Sequence, residues 1–270
     1  MCRLLAYLGT VCSLADLIQA PAHSLIEQSY QPREMTAGVI NADGFGIAWY
    51  HPQRQTAPFV YRNVLPIWND GNLPDLCRYV ESHCVLASVR SATPGLAVDL
   101  SNCQPYAYNG LLFAHNGYIE NFRRSLYRPL ADLLIDELYQ NIHGTTDSEH
   151  IFALLLQYLR QYEPVMALQQ TLRQVLALAV KCGVSASLNC IFSDGSYICA
   201  CRYSSSSPAP SLYYLHTVKS LYIASEPMDF PHSSAKWHRF PENSVLFAKR
   251  TSTAVEIGQF PQAIADLVSQ

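Results

Sequence analysis

Met1-Cys2-Arg3-Leu4-Leu5-Ala6-Tyr7-Leu8 begins with a residue pair that carries chemistry and continues as an apolar, strand-like run. Removal of the initiator methionine leaves a cysteine whose thiol and free α-amine belong to one residue. That residue is a nucleophile with its own base, because the amine takes the thiol proton directly or through a water, as N-terminal threonine nucleophiles do. Taken alone, a cysteine at position 2 reads first as a small apolar residue opening a strand. The segment also imitates a short secretory leader, with Arg3 ahead of the run 4–18 and Ala20-Pro21-Ala22 behind it. Gly9 and Asp16 interrupt that run, and one positive charge precedes it. We therefore read it as part of the folded chain.

Three downstream segments give the cysteine a context. In Ser88-Val89-Arg90-Ser91-Ala92-Thr93-Pro94 an arginine ends a β-like run and is followed by small residues and a turn-forming proline. A guanidinium at a strand end grips a carboxylate bidentately, which lysine does not do with the same geometry. In Leu111-Leu112-Phe113-Ala114-His115-Asn116-Gly117-Tyr118-Ile119-Glu120-Asn121 an apolar strand runs into Asn-Gly. The Asn116 carboxamide and the Gly117 N–H are two donors able to meet one oxygen, the minimum for an oxyanion hole. Glycine there lets a substrate approach the backbone, and His115 reads as a packing or hydrogen-bonding residue. In Gly144-Thr145-Thr146-Asp147-Ser148-Glu149-His150, Thr146 and Glu149 have capping-box spacing for a helix that follows. This explains Thr146 and Glu149 and leaves Asp147 free to receive an ammonium group.

Together these residues resemble the class II glutamine amidotransferases, whose glutaminase domain is an N-terminal-nucleophile hydrolase. The resemblance runs over about residues 2–250. It implies that Cys2 attacks a γ-amide carbonyl, that Arg90 holds the glutamyl α-carboxylate with Thr93 helping to seat the substrate, and that Asp147 binds the α-ammonium. It further implies that His115, Asn116 and Gly117 form the oxyanion segment. Within the family the chain is similar to a stand-alone branch that includes the γ-glutamyl hydrolase of ergothioneine biosynthesis. Asn41-Ala42-Asp43-Gly44-Phe45-Gly46-Ile47-Ala48-Trp49-Tyr50, Ala224-Ser225-Glu226-Pro227-Met228 and Trp237 support that placement. Asn102-Cys103-Gln104-Pro105-Tyr106 departs from it, since Gln104 stands where many relatives carry histidine.

The chain has 270 residues, 49% of them hydrophobic, with 18 basic and 21 acidic side chains for a net charge of −3. That length encloses a sizeable core, and the absence of a basic run argues against nucleic acid as a partner. No apolar stretch approaches the roughly 18 residues of a spanning helix. Nine cysteines, an odd number without a Cys-x-x-Cys pair, argue against a disulfide framework and a zinc knuckle. Cys199-Ala200-Cys201 reads as strand packing. The expected setting is reducing cytoplasm, with neither metal nor organic cofactor needed.

Periodicity predicts strands at 3–8, 46–50, 59–63, 85–90 and 111–115, then helices at 119–126, 129–139, 148–162 and 164–182. The last third reads as strands at 188–192, 197–203, 212–216 and 221–224, with Ser204 to Pro210 as an exposed loop. One domain over 1–270 is expected, and the resemblance implies an α+β, four-layer αββα N-terminal-nucleophile fold. The expected activity is cysteine-dependent hydrolysis of a γ-glutamyl amide of a small molecule, releasing glutamate. The alternatives are a glutaminase subunit feeding ammonia to a synthase partner, and a catalytically silent γ-glutamyl-binding protein. A homo-oligomer is compatible with each.

Overall fold

A computed structural model of the protein describes residues 2–35, 38–51, 53, 57–92, 97–205, 208–231 and 236–258. The elements are β1 (Arg3–Ser13), α1 (Leu14–Ile18), α2 (Leu25–Tyr30), β2 (Phe45–Trp49), β3 (Phe59–Asn63), α3 (Leu73–Tyr79), β4 (Glu81–Val89), β5 (Tyr106–Tyr108) and β6 (Leu111–Ile119). They continue as α4 (Tyr127–Ala131), α5 (Asp136–Gln140), α6 (Asp147–Leu159), α7 (Pro164–Cys182), β7 (Ala186–Ser193), β8 (Tyr197–Arg202), β9 (Tyr213–Thr217), β10 (Ser220–Ala224), β11 (His238–Arg239), β12 (Ser244–Arg250) and β13 (Val255–Ile257).

Alternation along the first strand sorts its side chains between two cores, since successive strand residues point to opposite faces. Leu4, Ala6 and Leu8 pack with Leu112, Ala114, Ile191 and Ala200. Leu5 and Tyr7 pack on the other face with Leu14, Leu17, Ile18 and Cys77 of α1 and α3. β6 alternates likewise, with Leu112 and Ala114 turned toward β1 and Phe113 toward Phe152, Leu168 and Leu172 of α6 and α7. The strands form two antiparallel sheets, ordered β11-β9-β10-β1-β4-β2-β3 and β13-β12-β8-β7-β6-β5. The order through the molecule is helices, sheet, sheet, helices, the expected αββα arrangement. Strands from both ends of the chain share the first sheet, where β1 lies between β4 and β10.

Local signals set the long helices. Pro164 occupies the first turn of α7, and Gly183 closes it at φ 64°, the left-handed conformation that glycine adopts without strain. Thr146 caps α6 by accepting the Glu149 N–H at 3.3 Å. The capping box is only half formed, because the Glu149 carboxylate turns instead to the N–H groups of His143 and Gly144, at 3.0 and 2.6 Å.

The stretch 119–126 is not the expected helix. β6 continues to Ile119, and consecutive turns follow with Asn121 at φ +50°. Asp147 accepts the Ile119 N–H at 2.8 Å, which holds the chain end away from a helical path. The expected helix at 129–139 is two short ones, broken where the Ile135 N–H donates to Gln157 Oε1 at 2.9 Å. Of the expected exposed loop 204–210, residues 206 and 207 lie outside the described residues and the far end is buried: Ala209 is 3% exposed, and Arg202 donates to the carbonyls of Ala209 and Pro210, each at 2.8 Å. Cys199 and Cys201 are buried among apolar side chains facing α6 and α7, as their pattern suggests, and all nine cysteines are free thiols. No helix among the described residues is long and apolar enough to cross a membrane.

Candidate active site

The site lies where β1, β4 and β6 end beside the first turn of α6. Arg3 pairs with Val89, so the residues just beyond them, Cys2 and Arg90, reach the same end of the first sheet. β6 brings His115 to Gly117 from the second sheet, and α6 begins at Asp147. The result is a cleft of about 710 Å³ whose wall includes Cys2, Arg90, Gln104, His115, Gly117 and Asp147. This size suits drug-sized ligands, which occupy pockets of about 300–1,000 Å³.

Arg90 is 5% exposed, and backbone carbonyls hold its guanidinium, with Nη1 donating to Asp43 and Nη2 to Ala97, each at 3.3 Å. Both contacts are neutral, so the positive charge in the wall lacks a carboxylate partner among the described residues. Asp147 is less free than its sequence position suggests. Its Oδ2 accepts the Ile119 N–H at 2.8 Å and its Oδ1 the Ser148 N–H at 2.7 Å. A carboxylate has about four lone-pair sites, so this one is oriented by the backbone and retains acceptor capacity toward the cleft. Thr93 lies outside the described residues.

His115 is engaged at both ring nitrogens. Nε2 faces the Ser187 carbonyl at 3.1 Å and Nδ1 the Ser148 hydroxyl at 2.9 Å. The carbonyl only accepts, so the proton is assigned to Nε2, and Nδ1 accepts from Ser148. Burial pushes the His115 pKa below the ordinary histidine value despite the opposing charge of Asp147 and the bond to Ser187. Both nitrogens of the ring are thus engaged by the protein itself, while the residue also forms part of the cleft wall. Gly117 is required by sterics, because a Cβ there would overlap the Ser187 carbonyl and the His115 ring.

Asn116 sits apart from the cleft wall. Its side chain is fully buried, its Nδ2 reaches Ser225 Oγ at 3.5 Å, and its Oδ1 has no partner among the described residues. Period two explains this: Asn116 follows Ala114 onto the face between the sheets, whereas His115 and Gly117 share the other face.

Gln104, also in the cleft wall, binds the backbone of His115. Its Nε2 donates to the His115 carbonyl at 3.0 Å, and its Oε1 accepts the His115 N–H at 2.5 Å. One side-chain amide thus satisfies both backbone groups of one residue, as a further strand would.

Sequence reasoning missed a polar network behind Cys2. Glu226 lies 3.7 Å from Arg3 and 2.7 Å from His23 Nε2, and accepts the N–H groups of Arg33 and Glu34 at 2.8 and 3.0 Å. Burial opposes ionisation of Glu226, yet these hydrogen bonds and the Arg3 charge hold its pKa below the ordinary carboxylate value. Next to it, Ser225 accepts the Leu4 N–H on its hydroxyl at 2.9 Å and returns its own N–H to the Leu4 carbonyl at 3.0 Å. The Ala224–Met228 motif was the available signal, and Trp237 also reaches it, donating Nε1–H to the Met228 carbonyl at 3.0 Å.

This geometry has known counterparts. A class II glutamine aminotransferase domain protein from Silicibacter pomeroyi superimposes with a TM-score of 0.68 at 28% identity, covering 97% of this chain and all of the other. Glutamine phosphoribosylpyrophosphate amidotransferase of B. subtilis shares the fold at 14% identity, with a TM-score of 0.64 over 95% of this chain and 48% of that one. The architecture is thus the four-layer N-terminal-nucleophile hydrolase fold. The chain belongs to the class II glutamine amidotransferases, whose family pattern it matches over residues 1–219, and it is an amidohydrolase. It is 32% identical to a probable glutamine amidotransferase of Saccharomyces cerevisiae, over 93% of this chain and 82% of the yeast protein. It is 30% identical to the gamma-glutamyl-hercynylcysteine sulfoxide hydrolase of Mycolicibacterium smegmatis, over 91% and 95% of the two chains.

Proposed function

We propose that the protein cleaves γ-glutamyl amides with Cys2 as nucleophile and releases glutamate. One observation carries this reading: a single cleft contains Cys2, the cation Arg90 and the oriented carboxylate Asp147. Those charges match the carboxylate and ammonium of a glutamyl head, whose γ-carbonyl then faces the thiol. Removal of Met1 frees the α-amine, which takes the thiol proton. The sulfur attacks the γ-carbonyl, and the oxyanion is met by the Gly117 N–H and, after its carboxamide turns from Ser225, by Asn116. The C–N bond breaks as the amine leaves with the proton. Water then attacks the thioester, giving glutamate and the free thiol.

The relative from M. smegmatis supports a leaving group larger than ammonia and a role in thiol metabolism of the ergothioneine type, and the size of the cleft supports the first of these. The yeast relative supports the second reading, a glutaminase supplying ammonia to a partner. A panel of γ- and α-glutamyl compounds with glutamate release as readout, and Cys2→Ala as blank, separates the readings. Cleavage of γ-glutamyl peptides but not their α-isomers is expected. Activity on glutamine alone favours ammonia supply, and equal cleavage of both isomers overturns the γ-glutamyl assignment.

A further inference from the structure

The glutamyl head accounts for Arg90 and Asp147 and leaves two cations of the cleft wall without a task. Arg123 and Arg124 line the same cleft, both are exposed, and neither has an ion-pair partner among the described residues. They follow Phe122, which is buried with its ring 5.6 Å from Tyr127 and 5.0 Å from His150. The Arg124 N–H donates to the Asn121 carbonyl at 2.7 Å, so the backbone presenting both guanidiniums is fixed on each side. The nearby carboxylates are engaged: Glu120 accepts the Ser185 N–H and hydroxyl at 3.1 and 2.8 Å, and Asp147 binds the backbone of Ile119 and Ser148.

A γ-glutamyl head has one free carboxylate, because its other carboxyl forms the scissile amide. With Arg90 on that carboxylate, a second anion can lie only on the amine side of the bond. We propose that Arg123 and Arg124 form a subsite for a carboxylate on the leaving amine. The substrates are then γ-glutamyl amino acids or peptides rather than γ-glutamyl derivatives of neutral amines. Guanidinium groups suit this task because their planar fork matches a carboxylate. The subsite rests on the γ-glutamyl reading given above.

γ-Glutamylglycine and γ-glutamylglycinamide differ in that one charge and provide the test. The mature enzyme should favour the acid in kcat/KM by about tenfold, the scale of two exposed ion pairs, and the preference should shrink in 1 M salt. In an Arg123→Gln/Arg124→Gln double variant the ratio should fall to within about twofold of unity. Calorimetric binding of both compounds to Cys2→Ala reads the same preference without turnover. Equal treatment of the two compounds by the parent enzyme, or an undiminished preference in the double variant, overturns the subsite alone. Failure to cleave or bind either compound overturns the γ-glutamyl reading and the subsite with it.

Discussion

Arg3 and Glu226 face each other at 3.7 Å with neither side chain exposed to solvent, joining the strand that carries Cys2 to the segment after β10. A buried pair of this kind need not stabilise a fold more than apolar residues would, but loss of one partner strands the other charge, typically at a cost of about 3–5 kcal/mol. Glu226→Ala should lower the free energy of unfolding by an amount of that order in denaturant titrations. An Arg3→Met/Glu226→Leu double variant should recover only the part due to the stranded Arg3 charge, because the N–H groups of Arg33 and Glu34 and the His23 ring still lose their acceptor. A wild-type midpoint for Glu226→Ala would show that the Arg3 charge is balanced elsewhere.

That pair also marks the boundary of what the sequence discloses. Cys2, Arg90, Gly117 and Asp147 were legible because each stands in a short segment whose local pattern, a strand end, a turn or a helix start, has chemical meaning. The apolar runs at 3–8 and 111–115 likewise read as strands, which they are; that each buries both faces is seen only in the structure. Glu226 is more than two hundred residues from Arg3, and no local pattern encodes that meeting. Helices α1–α3, five to seven residues long, are too short to establish a helical period. The stretch 119–126 has apolar spacing that suits a helix, but the left-handed Asn121 and the tertiary bond from Asp147 override it.

Gln104 should be a positioning residue for the oxyanion strand. Gln104→Ala leaves a buried N–H and a buried carbonyl of His115 unpaired, each a loss of about 1–3 kcal/mol. Faster hydrogen exchange at the His115 amide together with a lower kcat is the expected result. Gln104→His, with a single ring able to meet one of the two groups in that plane, should recover part of both. An unchanged exchange rate in Gln104→Ala would show that another group takes over the backbone bonds.

Arg90→Lys retains the charge in the cleft and loses the planar fork. Lysine also cannot reproduce the two backbone anchors at Asp43 and Ala97 while presenting a bidentate face. The expected loss in kcat/KM for a γ-glutamyl substrate is about 1.5–3 kcal/mol, the range for hydrogen bonds to charged groups. Steady-state kinetics at wild-type efficiency would remove Arg90 from substrate binding.

Acid should destabilise the protein in two stages. Burial pushes His115 and His150 below the ordinary histidine pKa, so the unfolded chain binds protons first as the pH falls. Their contribution is complete above about pH 6.5 and declines as the pH drops from there toward the depressed folded values. Glu226 also titrates below its ordinary value; its contribution persists through the histidine range and is lost in the carboxylate range. His150→Asn keeps a donor for the Thr146 carbonyl, which His150 Nδ1 meets at 2.8 Å. It should flatten the decline between about pH 6.5 and 5 in guanidinium unfolding. An unaltered slope would assign the first stage to other groups.

The central place of β1 has a practical consequence for producing this protein. Both edges of that strand are already paired, to β4 and to β10, and Cys2 at its head is in the cleft wall, so any extension of the amino end starts from the cleft. On the proposed mechanism, a purification handle fused to the amino end would cap the amine that takes the thiol proton. Preparations meant for assay should therefore carry their handle at the carboxyl end, or behind a protease site that leaves cysteine as the first residue.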